Sequence, residues 1–110
     1  MAEPIKSVKT PVVLRQDYVM YLELWDGSLW FHTDIHKWTS ETKKQYKLDL
    51  EKLEDLVSIP LIALITEDNL KLKKFAESFN WKEVKQIMLN NGTTAFIYAS
   101  QRSVTNSKGE

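Results

Sequence analysis

Cysteine is absent from the 110 residues of this chain, which removes disulfide bridges, thiolate nucleophiles and zinc–thiolate sites together and leaves the redox compartment open. Glycine and proline are scarce, three of each, and two of the prolines fall in the first eleven residues, so the rest has few interruptions to regular structure. Neither sign of charge prevails. Fifteen Lys and Arg balance fifteen Asp and Glu, and a formal net charge of zero makes the chain as a whole no electrostatic match for a nucleic acid. No apolar run approaches the ~20 residues that span a bilayer, and the first residues lack the apolar segment of a secretion signal. The expectation is a soluble cytoplasmic protein, or one packaged after synthesis there, with neither nucleic acid nor membrane among its partners.

What is present is enough for one domain. An apolar content of 43% and a charged content of 27% are ordinary for a globular protein, and 110 residues supply one core but not two. Residues 1–17 read as a flexible N-terminal arm and residues 102–110 as a disordered polar tail, with the folded domain at 18–101. Within it, Tyr18 to Trp25 is aromatic and branched, Asp26-Gly27 supplies a tight turn, and Leu29 to Trp38 continues as a second strand. Thr39 or Ser40 then caps a helix whose apolar side carries Tyr46, Leu50, Leu53, Leu56 and Val57. The apolar run 61–65, bounded by Pro60 and Glu67, suits a strand covered on both faces, and it predicts a right-handed crossover into a parallel pair with 29–38. Asp68 or Asn69 caps a second helix with Leu72, Phe75, Ala76 and Phe79 at helical spacing, and Asn80 is suited to the positive φ that ends it. Trp81 to Leu89 and Thr93 to Ser100 form a last hairpin about Asn91-Gly92. The predicted fold is α/β (α+β), a five-stranded mixed sheet in the order strand, strand, helix, strand, helix, strand, strand.

Two constellations bear on chemistry. The first helix is charged against its own dipole, with Lys43, Lys44 and Lys47 early and Asp49, Glu51, Glu54 and Asp55 late. Free N–H groups at a helix start favour an anion, and such an anion would be met by the lysines as well, although a plain solvated face with a Lys47–Glu51 pair is the simpler account. On the second strand, His32, Asp34 and His36 alternate, so all three share one face between Trp30 and Trp38. Two imidazoles and a carboxylate are both a metal-ligand set and an acid–base pair. On a flat strand they diverge along ~13 Å, so one metal ion would need a bulge to gather them, and a polar cluster in the core or at its rim is the plainer alternative. The four tryptophans, Trp25, Trp30, Trp38 and Trp81, serve either core packing or an exposed interface.

The stretch from Glu67 to Trp81, a strand followed by an Asn-capped helix and a terminal aromatic, resembles the C-terminal motif of the GNAT superfamily of N-acetyltransferases, with Asn69, Phe75 and Glu77 matching. Ala76 stands where the family usually has a Tyr, Asn80 where it has Gly, and Trp81 where it has Phe. The resemblance covers about residues 18–101 and implies the later half of a GNAT domain, without the opening strand and two helices that shape the acceptor site. It further implies acetyl-CoA or CoA as cofactor, received at the start of the first helix by Thr39, Ser40, Lys43 and Lys44 and contacted by Asn69, with Asp34 or His32 as general base. The loop at Lys37 to Thr42 lacks the family's glycines, which let pyrophosphate approach several amides at once, and Ala76 has no proton to give a departing thiolate. Tyr46, Tyr98 or water would have to substitute.

A truncated domain of this layout is similar to the small acetyltransferase-like proteins of tailed phages, including internal virion proteins of short-tailed phages. The resemblance then implies a degenerate, non-catalytic phage-type protein that acts through contacts with phage or host proteins, in the host cytoplasm or the virion, with homo-oligomerisation a further option. The alternative it implies is an acetyl-CoA-dependent N-acetyltransferase acting on an amine of a protein or small molecule.

Overall fold

The computed structural model describes residues 8–101. Six strands and two helices follow in the order β1 (Thr10–Leu14), β2 (Tyr18–Trp25), β3 (Ser28–Ile35), α1 (Ser40–Leu56), β4 (Leu61–Thr66), α2 (Leu70–Ser78), β5 (Lys82–Met88) and β6 (Thr94–Ala99). They form one mixed sheet, β1-β2-β3-β4-β6-β5, in an α+β arrangement. The sheet has six strands where five are expected from the sequence, the sixth being β1 within the expected arm. Pro11 argues against a strand in a sheet interior, but an edge strand tolerates it, and Val13 of β1 packs on the core while a register shift between Pro11 and Val13 bends the strand. Residues 1–7 and 102–110 of the expected arm and tail lie outside the described residues.

Local chemistry accounts for the element ends. Asp26 and Gly27 both take positive φ, 54° and 76°, as a two-residue hairpin turn requires. The Thr39 hydroxyl accepts from the Thr42 N–H to cap α1, and Asn69 Oδ1 accepts from the Leu72 N–H to cap α2. Asn80 takes φ 68°, while its own N–H donates to the Glu77 carbonyl and that of Trp81 to the Ala76 carbonyl, which closes α2 in a Schellman motif. β3 ends at Ile35, short of Trp38, because the N–H groups of His36 and Lys37 turn back to the Asp17 carbonyl.

β3 and β4 are parallel neighbours, but only Leu29↔Leu61 and Trp30↔Ile62 are paired before the strands part. Beyond that point, among the described residues, β3 is held by β2 alone and β4 by β6 alone. The crossovers through α1 and α2 run the same way along the sheet, so a common right-handed sense places both helices on one face. There Tyr46 of α1 packs its ring on Tyr18 of β2, and Glu77 of α2 accepts from the Tyr98 hydroxyl of β6. The core lies between helices and sheet, built on Tyr18, Met20, Phe31, Tyr46, Leu61 and Ile65. Among the described residues no helix covers the other face. Cross-strand register brings Tyr21, Glu23, Trp30, His32, Asp34, Ile62, Leu64 and Ile97 onto it.

Candidate functional site

Where β3 and β4 part, the sheet opens into a cavity of about 570 Å³. Its walls come from both faces: Phe31 and Thr33 from the helix side of β3, His32 and Asp34 from the other, Ala63 and Ile65 from β4. Tyr46 of α1 and Phe75, Ala76 and Phe79 of α2 close the helix side. The width of the opening follows from small side chains at Ala63 and Ala76 and from the lack of any ladder between the two strands past Ile62.

The outer mouth is polar. His32 Nε2 lies 2.7 Å from Glu23 Oε1, and the Tyr21 hydroxyl donates to Asp34 Oδ2 at 2.8 Å. The bond to Asp34, aided by burial and the nearby negative charge, raises the Tyr21 phenol above its ordinary pKa. His32 and Asp34 are thus each engaged by a residue of β2 rather than by one another, and His36, just past the strand end, is exposed. Among the described residues no group of three side chains stands in position to hold a metal ion.

The inner end is aromatic. Tyr46 meets Tyr18, Trp38, Phe75 and Phe79 with ring centroids 4.8–5.4 Å apart, and its hydroxyl is buried with no geometric hydrogen bond among the described residues. Burial pushes its pKa well above that of a free phenol, and the neighbouring Thr33 hydroxyl, which also donates to the Val19 carbonyl, opposes the shift.

The residues expected to hold a cofactor sit elsewhere. Thr39, Ser40, Lys43 and Lys44 are exposed at the start of α1 and Asn69 at the start of α2, and none of them lines the cavity. The start of α1 already faces a carboxylate of the chain itself: Thr42 Oγ1 donates to Asp17 Oδ2 at 2.8 Å and lies 2.9 Å from the Thr39 hydroxyl. An anion there is what the helix dipole favours, and Asp17 supplies it. Of the expected site residues, the structure therefore brings His32 and Asp34 to the cavity.

Sequence reasoning did not find Glu23, Tyr21 or Asp17. The first two were accessible: a two-residue turn at Asp26-Gly27 fixes the register, so Tyr21 must face His32 and Glu23 must face Trp30 on the same side of the sheet. Asp17 carried no local signal, since its partner Thr42 is 25 residues away. Compared with protein-family models, curated proteins and solved structures, the chain has no match.

Proposed function

We propose that this chain is a degenerate acetyltransferase-like, GNAT-fold module of the kind found in tailed phages, acting through protein contacts in virion structure or assembly. The parallel β3–β4 pair that parts after two residues supports the family likeness, since a splayed pair with a helix beginning near the gap is what the sequence resemblance implies. Asp17 at the start of α1 and alanine at position 76 both weigh against acyl transfer.

The observation that carries the contact reading is the sheet face without helices. It presents Trp25 and Leu64, 53% and 40% exposed, beside Trp30, whose Nε1 is buried with no hydrogen-bond partner among the described residues. An apolar patch of this kind, bordered by the Tyr21–Asp34 and His32–Glu23 pairs, is a surface for another protein. The sheet edges are guarded instead, β1 by Pro11 and its bulge, and β5 by Lys82, Lys85 and the irregularity between Glu83 and Lys85. Contact therefore goes through the face rather than by strand addition. The experiment is affinity purification from infected cells with light scattering on the pure protein, using wild type and Ile62→Glu. The expected result is a co-purifying phage or host protein, or a self-associated form, that is lost in the variant. A clean monomer with no companion would end this reading.

The cavity favours a second reading, an acetyl-CoA-dependent N-acetyltransferase with Asp34 or His32 as base and Thr39, Ser40, Lys43, Lys44 and Asn69 around the cofactor. Calorimetric titration with acetyl-CoA and CoA separates the two. Micromolar binding abolished by Ser40→Glu supports the enzyme, and no heat at millimolar ligand excludes it.

A further inference from the structure

We propose that the sheet face without helices binds a second copy of this chain, the two sheets stacking face to face about a two-fold axis that runs along β4. The proposal rests on the contact reading above and names its partner.

The pairing register lays this face out in rows. One row runs Glu23, Trp30, Ile62, Ala99, Lys82 across β2, β3, β4, β6 and β5, and the next runs Tyr21, His32, Leu64, Ile97, Lys85 across the same strands. Opposed residues share a face, and alternation along each strand keeps both rows on the same one. β4 is the middle strand of these five. The two flanks differ in charge: the Glu23 carboxylate is 20% exposed on one, whereas Lys82 and Lys85 are fully outward on the other. Between them stand Ile62, half-buried, and Leu64, exposed.

A half-turn about β4 exchanges the flanks of a row and keeps its height along the strands. Glu23 of each copy then stands over Lys82 of the other, on both sides of the axis, while Ile62 and Leu64 meet their own counterparts at the centre. Trp30 falls over Ala99, a small side chain opposite a large ring. A surface that is acidic at one end, basic at the other and apolar between is complementary to itself under this rotation, which is the condition for a closed two-fold dimer. Strand directions also stay aligned, as they do in packed sheets. The polar side chains of the β2–β3 flank enter the contact already paired, Tyr21 with Asp34 and His32 with Glu23, so covering them strands no hydrogen-bonding group. A formal net charge of zero adds no repulsion between copies. β1 and the preceding Lys9 lie beyond the five stacked strands.

The test is sedimentation equilibrium of the full chain over a dilution series, with Glu23→Lys and Lys82→Glu measured alone and as an equimolar mixture. The expected result is a monomer–dimer equilibrium in the wild type. Either variant alone should raise the dissociation constant about tenfold, because it reverses both rim pairs of the dimer, and the mixture should return near the wild-type value, since every introduced charge there meets its opposite. A misfolded variant cannot give that recovery. The chain has no cysteine, so Leu64→Cys places a single thiol on the axis. Stacked sheets lie about 10 Å apart, and a short bismaleimide should join two copies through that thiol but not through Met88→Cys, which faces the other side of the sheet. A wild type that stays monomeric at its highest soluble concentration overturns the proposal, as does a dimer whose charge variants are not restored by mixing or that cross-links equally through Met88→Cys. A monomer that still co-purifies with a phage or host protein lost in Ile62→Glu ends the dimer and leaves the contact reading standing; a monomer without a companion ends both.

Discussion

Asp49 gathers three side chains onto one buried carboxylate. Arg15 Nε and Nη2 each donate at 2.9 Å, the Tyr18 hydroxyl donates, and Gln45 Nε2 donates at 3.2 Å, so the turn before β2, the start of β2 and the middle of α1 are joined at one point. Burial alone would raise its pKa, but the bonds from Arg15 and Tyr18 outweigh burial and hold the carboxyl below its ordinary value. Replacing it by Ala leaves the Tyr18 hydroxyl buried without an acceptor, and the expected loss is about 2–4 kcal/mol in urea unfolding at neutral pH. The sign with pH follows from linkage. A depressed native pKa means that the unfolded chain binds the proton first on acidification, so the contribution is complete above 3.8 and fades as pH falls through the native value. The gap in urea midpoint between wild type and Asp49→Asn should therefore close below that pH; a constant gap would show that the network does not depend on charge. In the sequence Asp49 and Glu54 belong to an acidic run suited to a solvated face. Both are buried, Asp49 by partners 31 and 34 residues away and Glu54 by Trp81 Nε1, 27 residues away, and no local pattern announces them.

At the scale of elements, α2 is specified by its own ends. Asn69→Ala removes the acceptor for the Leu72 N–H and should cost about 1 kcal/mol. Asn80→Gly relieves the side-chain penalty at φ 68° and should leave stability unchanged or raise it by up to ~1 kcal/mol, whereas Asn80→Val should cost more than ~1 kcal/mol. Thermal unfolding of the three variants checks the order Gly ≥ Asn > Val at position 80. Caps and turns of this kind are short-range chemistry, which is why both helices, the Asp26-Gly27 turn and β4 are legible in the sequence. β1 is not, because its strand character comes from Val13 reaching the core and from pairing with β2, neither of which a proline-containing segment reveals. The site divides the same way. Alternation puts His32 and Asp34 on one face, but the closed end of the cleft is made by Tyr46, Phe75 and Phe79 of two helices whose mutual packing no sequence spacing gives.

For the molecule as a whole, the three buried tyrosines, Tyr18, Tyr46 and Tyr98, report on how completely the core is sealed, while Tyr21 at the outer mouth answers first to its bond with Asp34. Tyr18, Tyr21, Tyr46 and Tyr98 are all raised above the ordinary value of 10.0, Tyr98 to about 12, chiefly by burial and then by the acceptor Glu77. They lie on β2, α1 and β6, so between them they sample both arms of the split sheet and the helix over it. Because each native phenol holds its proton more tightly than its unfolded counterpart, the native state binds more protons once pH exceeds 10.0, and stability falls as pH rises toward 12. Tyrosinate absorbance near 295 nm should stay low in the folded protein at pH 10 and appear cooperatively, together with loss of far-ultraviolet circular dichroism, at higher pH. Adding urea at pH 10 should release the same absorbance. Half-titration of the tyrosines at pH 10 with the dichroism unchanged would mean that water reaches these phenols in the native state, and the sealed inner end of the cleft would be lost with them.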